Sequence, residues 1–282
     1  MRIKIELSNN EPELTLPVDD NDLIVGLIYN ILRNSSPRYA FFLHNEGYAI
    51  LNKDGNTKNF KLFTYSPFCF KGRNSLPVSG DGTIVTKEQQ LHLFISSSKD
   101  VFMEHFTDGC KITPQLLIYN SSNKQQTLEI KKVKKLEPLV ISNDMRFVML
   151  SPIICSRNNS DGKPDYLFPW DMEFEEVLYM NLCDKYQAIH GKPFGLSSDK
   201  FRLELDHDYI ERKKSSVQKL VTLKKGQKDE TKIKGTFAPF RLKAPRELME
   251  IGYECGFGEK NAMGFGMVKV DESKGLLTKR KK

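Results

Sequence analysis

Hydrophobic and polar residues alternate at the start of the chain, and this alternation predicts a strand over residues 2–7. Apolar residues then recur at helical spacing over residues 22–33, which predicts an amphipathic helix. Clusters of Asn, Asp, Gly and Ser separate the shorter segments that follow. The pattern predicts further strands at residues 60–70, 91–95, 116–119 and 127–136, and a short helix at residues 99–107.

The second half repeats this order of elements. Each half approximates β-α-β-β-α-β, the plan of a ferredoxin-like or RRM-like domain. We therefore predict an α+β protein of two tandem ferredoxin-like domains, each an antiparallel sheet with helices on one face. The pattern breaks at residues 137–145, so we place the domains at residues 1–140 and 141–282. The predicted elements of the second half are strands at residues 147–155, 201–205, 217–223, 235–242 and 267–270, and helices at residues 170–190 and 245–253.

Composition places the chain among globular proteins. Its 282 residues are 39% hydrophobic and 28% charged, without the run of about 18 apolar residues that a membrane span needs. The N-terminus lacks the apolar segment of a signal peptide. The five cysteines contain no CxxC pair, and no acidic cluster has the spacing of a metal site. We expect a cytoplasmic protein with reduced, mostly structural cysteines, no metal and no cofactor.

Positive charge is concentrated in one segment of a chain whose net charge is +7 and whose pI is about 9.0. Residues 212–246 hold twelve Lys and Arg against only two acidic residues. The strand-like pattern around them predicts a basic hairpin, which suits a phosphate backbone. A solvated, flexible loop is an equally good interpretation of the charge alone. The candidate RNA-binding residues of this segment are Lys224, Lys225, Lys234 and Arg241.

A glycine-rich segment over residues 256–266 contains the pattern GFG, five residues, GFG. Glycines allow positive φ and a close approach of ligand phosphate, and the two phenylalanines can anchor the loop to the core. The segment fits neither a dinucleotide fingerprint nor a P-loop. A tight connection without a ligand is the alternative. The candidate ligand-binding residues here are Gly256, Gly258, Lys260, Asn261, Gly264 and Gly266, with Lys260 and Asn261 expected at the loop tip.

The glycine pattern near the C-terminus, on a duplicated RRM-like plan, resembles the RAMP superfamily of CRISPR-associated proteins. Other stretches narrow the resemblance to the repeat-RNA endoribonucleases of the Cas6 family, and it runs over nearly the whole chain. These stretches are residues 26–30 (GLIYN), 43–44 (LH), 61–66 (KLFTYS), 150–153 (LSPI), 184–186 (DKY) and 268–270 (VKV).

The resemblance implies metal-independent cleavage of CRISPR repeat RNA into crRNA guides. A 2′-hydroxyl would attack the adjacent phosphate, leaving a 5′-hydroxyl and a 2′,3′-cyclic phosphate. The family's triad corresponds to Tyr29, His44 and Lys61. We expect His44, in a loop or short turn, to act as general acid or base, and Tyr29 to supply the hydrogen bond or complementary proton transfer. Lys61, at the start of a strand, would stabilise charge.

The insert between His44 and Lys61 is longer than the resemblance leads us to expect, so Lys53 or Lys58 is an alternative for the cationic position. The interpretation of Tyr29 and His44 as acid or base also stays open. The implied partners are repeat RNA, its crRNA product and a CRISPR effector complex, bound by a monomer or homodimer. Alternatives are a non-catalytic RAMP subunit that only binds RNA, and an unrelated RNA-binding module with duplicated RRM-like domains.

Overall fold

A computed structural model describes residues 1–51, 55–119, 125–195, 198–213 and 217–271 of the chain. Its first half contains nine strands and three helices within the described residues. They are β1 (Arg2–Asn9), β2 (Leu14–Pro17), α1 (Asn21–Ser35), α2 (Pro37–Asn45), β3 (Tyr48–Leu51), β4 (Thr57–Phe60), β5 (Phe63–Tyr65), β6 (Thr83–Thr86), β7 (Gln90–Ser97), α3 (Asp100–Ile112), β8 (Gln115–Tyr119) and β9 (Gln125–Lys135).

The main sheet of the first half follows from the alternation along β1. Ile3, Ile5 and Leu7 are buried in the core, as a strand with one covered face requires. The strands lie in the order β5-β7-β1-β9-β8, and every neighbouring pair is antiparallel. Apart from the edge strand β8, this is the ferredoxin-like order, with α1 and α3 packed together in the same core.

The second half repeats this order in a four-stranded sheet, β13-β16-β10-β17, again antiparallel throughout. Together with the first half, it confirms the predicted α+β fold of two ferredoxin-like units. The elements of this half are β10 (Asp144–Met149), β11 (Cys155–Asn158), β12 (Pro164–Leu167), α4 (Phe174–His190), β13 (Arg202–Leu205), α5 (His207–Lys213), β14 (Gln218–Leu223), β15 (Thr231–Thr236), β16 (Phe240–Lys243), α6 (Arg246–Cys255) and β17 (Val268–Val270).

The predicted basic hairpin exists, but it is shorter than residues 212–246. Strands β14 and β15 pair from Gln218–Thr236 to Leu223–Thr231. The single strand predicted at residues 235–242 is wrong, because the chain leaves the hairpin at Thr236 and enters the main sheet at Phe240. Residues 237–239 include a proline, which breaks the strand. Arg241 therefore belongs to the sheet and not to the hairpin.

The first half docks on the second through side chains that bind main-chain carbonyls. The buried Arg2 guanidinium donates to the carbonyls of Val268 and Tyr253, each at 2.6 Å. Asn21 donates to the Met263 carbonyl at 2.7 Å, and the Thr64 hydroxyl donates to the Phe265 carbonyl at 3.0 Å. The bonds from Asn21 and Thr64 fix the glycine-rich segment against α1 and β5.

The insert between His44 and Lys61 is also part of this contact. It folds into the β3–β4 hairpin, in which Tyr48 pairs with Phe60 and Leu51 with Thr57. Ile50, Phe60 and Leu62 form a small apolar cluster with Cys255 of the second half, and Ala188 and Ile189 of α4 pack against it. The hairpin therefore links the predicted catalytic segment to α4.

The predicted boundary at residues 140/141 lies between β9, which ends at Lys135, and β10, which begins at Asp144. We keep it as a proposal. All five cysteines are unpaired thiols. None of the described helices is long and apolar enough to cross a bilayer.

Candidate active site

His44 lies in the last turn of helix α2 and not in a loop as expected. The chain starts this helix immediately after α1, because Ser36 caps it by accepting a hydrogen bond from the Tyr39 amide and Pro37 occupies its first turn. Leu43 is buried while His44 is exposed, so the helix presents the imidazole to solvent. Its Nδ1 lies 3.2 Å from the side-chain oxygen of Asn45.

Lys61 lies in the short link between β4 and β5, so the expectation that it begins a strand is wrong. Leu62, with φ of 54°, kinks the chain there and is itself buried. Gly47 ends the preceding helix at φ of +70°, and a Cβ on it would lie 2.6 Å from the Phe60 carbonyl oxygen. This close approach brings Lys61 to the helix end, where its Nζ donates to the His44 carbonyl at 2.8 Å.

Tyr29 meets the imidazole from the neighbouring helix α1. The Tyr29 and His44 rings lie edge to face with centroids 5.3 Å apart, and Tyr29 also packs against Phe63. Burial raises the pKa of Tyr29 to about 12. Burial also lowers the pKa of Lys61, and the carboxylate of Glu46 opposes this. The three residues predicted to act together therefore lie side by side.

Lys58 and Lys53 are the two alternatives to Lys61 for the cationic position. Lys58 lies on β4, and its Nζ pairs with the Asp184 carboxylate of α4 at 2.8 Å. Lys53 lies outside the described residues. Because Lys58 is held by a carboxylate and Lys61 reaches the main chain of His44, the geometry favours Lys61 for the cationic position.

The glycine-rich segment packs tightly against the core. Gly258 and Gly266 have φ of +71° and +74°, and a Cβ on them would lie 2.3 Å from the Ile154 carbonyl oxygen and 2.0 Å from the Phe257 carbonyl oxygen, respectively. Phe257 and Phe265 are fully buried, which confirms their predicted anchoring role.

Asn261 is not at the exposed tip of this segment, as we expected, but turned inward. Its buried amide donates to the carbonyls of Phe257 at 3.2 Å and Phe265 at 3.0 Å, and so it closes the loop from inside. Lys260, by contrast, is exposed at φ of 56°. Of the two predicted tip residues, Lys260 alone projects toward solvent.

A groove of about 410 Å³ runs between the halves and has the predicted catalytic residues on one wall and the glycine-rich segment on the other. Lysines stand on both sides of it. The groove is lined by Val25, Tyr29, His44, Lys58, Asn59, Phe60, Lys61, Leu62 and Phe63 of the first half, and by Asn181, Lys185, Gly258, Glu259, Lys260, Asn261, Ala262 and Met263 of the second.

The remaining basic candidates do not line this groove. Lys224 pairs with Asp229 across the turn of the hairpin, and the Lys225 ammonium donates to the Asp81 carbonyl at 2.7 Å. Lys234 is exposed on β15. Arg241 lies on β16, where its guanidinium pairs with carboxylates of Asp144 and Glu204.

Two groove residues on α4 received no functional role from the sequence, although one of them, Lys185, lies in the DKY stretch that carries the resemblance. Lys185 is only 2% exposed, and its Nζ donates to the Gly256 and Gly258 carbonyls at 2.7 and 2.6 Å. Asn181 is 5% exposed, and its Oδ1 has no hydrogen-bond partner within the described part of the chain. Both lie on the buried face that Leu178 and Leu182 define, at positions i+3 and i+7 from Leu178. Polar residues at apolar positions of a helix were the available signal.

Among the residues that the structure describes, no three His, Cys, Asp or Glu side chains come together as a metal site. The ionisable side chains that line the groove are an imidazole, a phenol, several ammonium groups and the carboxylate of Glu259, which accepts hydrogen bonds from the amide and hydroxyl of Ser156. The imidazole, the phenol and the ammonium groups can transfer protons and bind phosphate.

Comparisons with known proteins agree along the whole chain. The family models described as "CRISPR-associated protein Cas6, N-terminal" and "CRISPR associated protein Cas6, C-terminal" match residues 15–131 and 130–270. The CRISPR-associated endoribonuclease Cas6 1 of Methanocaldococcus jannaschii is 28% identical over 100% of this chain and 97% of its own length. The CRISPR-associated endoribonuclease Cas6 of Pyrococcus furiosus is 27% identical over 97% of this chain and 91% of its own. The solved structure from a Cas6-related gene of P. furiosus superposes with a TM-score of 0.75 at 25% identity, covering 97% of this chain and 99% of that one.

Proposed function

Because the chain belongs to the Cas6 family of CRISPR-associated proteins, we propose that it is the endoribonuclease that cuts CRISPR repeat RNA in the precursor transcript and so produces crRNA guides. The observation that carries this proposal is the grouping of Tyr29, His44 and Lys61 at one groove. These residues come from helix α1, helix α2 and the link between β4 and β5, yet Lys61 bonds the His44 main chain and Tyr29 contacts the His44 ring.

The proposed reaction is an intramolecular transesterification. The ribose 2′-oxygen loses its proton and bonds to the adjacent phosphorus, while the bond from phosphorus to the 5′-oxygen breaks and that oxygen gains a proton. The products are a 2′,3′-cyclic phosphate and a 5′-hydroxyl. The protein must accept one proton, donate one proton and stabilise the extra negative charge on the phosphoryl oxygens.

The environments of the three side chains suggest how they divide these tasks. An imidazole nitrogen can accept a proton, and His44 is exposed at the groove, so we assign it the proton taken from the 2′-hydroxyl. Since the pKa of Tyr29 is about 12, its phenol stays protonated and can donate toward the leaving oxygen. Lys61 supplies positive charge beside the phosphate.

The RNA strand would lie in the groove between this triad and the glycine-rich segment. Lys260 faces solvent on the opposite wall, where an ammonium can pair with a phosphate. Lys234 is exposed on β15, outside the groove, where its ammonium can pair with a further phosphate. The tight packing of the glycines supports a different role for them, which is to shape this wall rather than to touch RNA by a side chain. We further propose that the protein works in the cytoplasm and passes its crRNA to a CRISPR effector complex.

The test is cleavage of repeat RNA from the same genome in the presence of EDTA. We expect a single cut by the wild type, and a rate lower by about 10²–10⁴-fold for His44→Ala, since one general acid or base contributes that much. Both proteins should bind the RNA. His207→Ala, which changes an exposed histidine on α5, is the matched control and should cut normally.

A second substrate tests the nucleophile. Replacing the single ribose 5′ of the scissile phosphate by 2′-deoxyribose should abolish the cut, because the attacking oxygen is gone. A cut in that RNA would disprove the proposed chemistry. Binding without cutting by the wild type would instead favour the non-catalytic RAMP subunit.

A further inference from the structure

Helix α4 places a lysine beneath the groove in a setting unusual for a cation. The Lys185 ammonium is held by two main-chain carbonyls of the glycine-rich segment, at 2.7 and 2.6 Å, and is only 2% exposed. Within the described residues no carboxylate lies at ion-pair distance from it, since the neighbouring Asp184 pairs with Lys58 instead. Buried charges are normally paired, so this one lacks the partner that it needs.

The groups around Lys185 do not replace that partner. Burial is the main reason why its pKa is lowered to about 7; the ammonium of Lys58 acts in the same direction, and the thiols of Cys255 and Cys155 and the carboxylate of Glu259 oppose this lowering. In the RNA-free protein the amine is therefore close to losing its proton at neutral pH. A negative charge placed in the groove would favour the protonated form.

We propose that Lys185 is a positioning residue for RNA. Its bonds to the Gly256 and Gly258 carbonyls hold the groove wall in place, and a phosphodiester bound in the groove supplies the negative charge that this ammonium lacks. RNA binding is therefore accompanied by the uptake of a proton. This rests on the proposed function, because it takes repeat RNA as the ligand of the groove. Because its own side chain is buried, Lys185 acts by holding the glycine-rich segment and by the electrostatic attraction between its ammonium and a phosphate in the groove.

The pH dependence of RNA binding separates this role from simple support of the loop. The groove also contains the imidazole of His44, a second side chain that can bind a proton. We therefore use His44→Ala as the background, which also leaves the RNA uncut. At constant salt, the Kd of this protein for repeat RNA should rise by about 10-fold from pH 6.5 to pH 8.5, because each pH unit above the free pKa costs up to a factor of ten.

Adding Lys185→Met to that background should weaken binding at pH 6.5 and reduce the pH effect to less than about twofold. The matched control is Lys260→Met, which removes an exposed ammonium from the same segment. It should weaken binding by the same factor at both pH values. An unchanged pH dependence in Lys185→Met would overturn the inference.

A measurement on the intact lysine covers the case in which Lys185→Met does not fold. Calorimetry of the His44→Ala protein at pH 8, in two buffers of different ionisation enthalpy, should show uptake of about 0.5–1 proton per RNA bound. No uptake would overturn the inference even if the protein binds tightly. Failure of the wild type to bind or cut repeat RNA would instead refute the proposed function.

Discussion

At the scale of single residues, the phenol of Tyr29 leads to a prediction about the pH dependence of the cleavage rate. Its pKa of about 12 keeps it protonated over the working range, so it adds no titration there. We predict that Tyr29→Phe lowers the cleavage rate by about 10²–10⁴-fold, as expected for the loss of a general acid, without moving the midpoint of the pH–rate profile. The measurement is single-turnover cleavage from pH 5 to pH 9.

Phe keeps the ring contacts of Tyr29 with His44 and Phe63, so a loss of rate would report the hydroxyl and not the packing. A displaced midpoint would mean that Tyr29 itself titrates in this range and would refute our division of roles.

At the scale of elements, the glycine-rich segment depends on space as well as on backbone freedom. Gly266 has both constraints, a φ of +74° and a Phe257 carbonyl where a Cβ would stand. We predict that Gly266→Ala destabilises the protein by about 2–4 kcal/mol and disrupts the groove wall, so that RNA cleavage falls with it. Urea unfolding and a cleavage assay on the same preparation measure the two effects.

Gly162, in the turn between β11 and β12, is the matched control because its φ is +72° but the space around it is open. Gly162→Ala should cost only about 1–2 kcal/mol, the cost of the left-handed conformation alone. Equal losses for the two variants would show that close packing at Gly266 is unimportant.

The sequence predicted those elements whose pattern is long and regular. The apolar residues at helical spacing were sufficient to predict α1, and the alternation of apolar and polar residues was sufficient to predict β1. Helix α2 was missed because nine residues with two exposed positions at its end give little periodicity, and its signal was the Ser36–Pro37 start. The β3–β4 hairpin was not predicted, because the insert between His44 and Lys61 is dominated by polar residues, and a polar segment is typical of a loop.

Within the candidate site, a resemblance could identify Tyr29, His44 and Lys61, but periodicity could not show that they meet. Their proximity depends on the tight contact of Gly47 with the Phe60 carbonyl, which is a tertiary feature. Lys185 was not predicted to be a site residue, and Asn261 was wrongly expected at the exposed loop tip, because both side chains are polar. Polar side chains are expected in solvent, and only the fold shows that main-chain carbonyls receive them inside.

At the scale of the whole molecule, a buried guanidinium is one of the contacts that hold the two halves together. Arg2 stacks on the Tyr253 ring at 3.8 Å and donates to two carbonyls of the second half. We predict that Arg2→Met lowers the free energy of unfolding by about 2–4 kcal/mol, because it leaves both carbonyls without their donor. Urea unfolding of the RNA-free protein measures this loss.

Lys4, on the same strand, is the control. Its ammonium pairs at 3.3 Å with Glu6 on a partly exposed surface, so Lys4→Met should cost less than about 1 kcal/mol. A similar small loss for Arg2→Met would show that the halves are held by apolar contacts instead.

The carbonyl acceptors at this junction have a consequence for how such a protein can change over evolutionary time. Asn21, Thr64 and Lys185 donate to main-chain carbonyls of the glycine-rich segment, and the side chain of Lys260 takes no part in these bonds. Exchanging the outward residue Lys260 therefore leaves this docking intact. A new preference for a different repeat can arise there by single substitutions, with no compensating mutation on the opposite side.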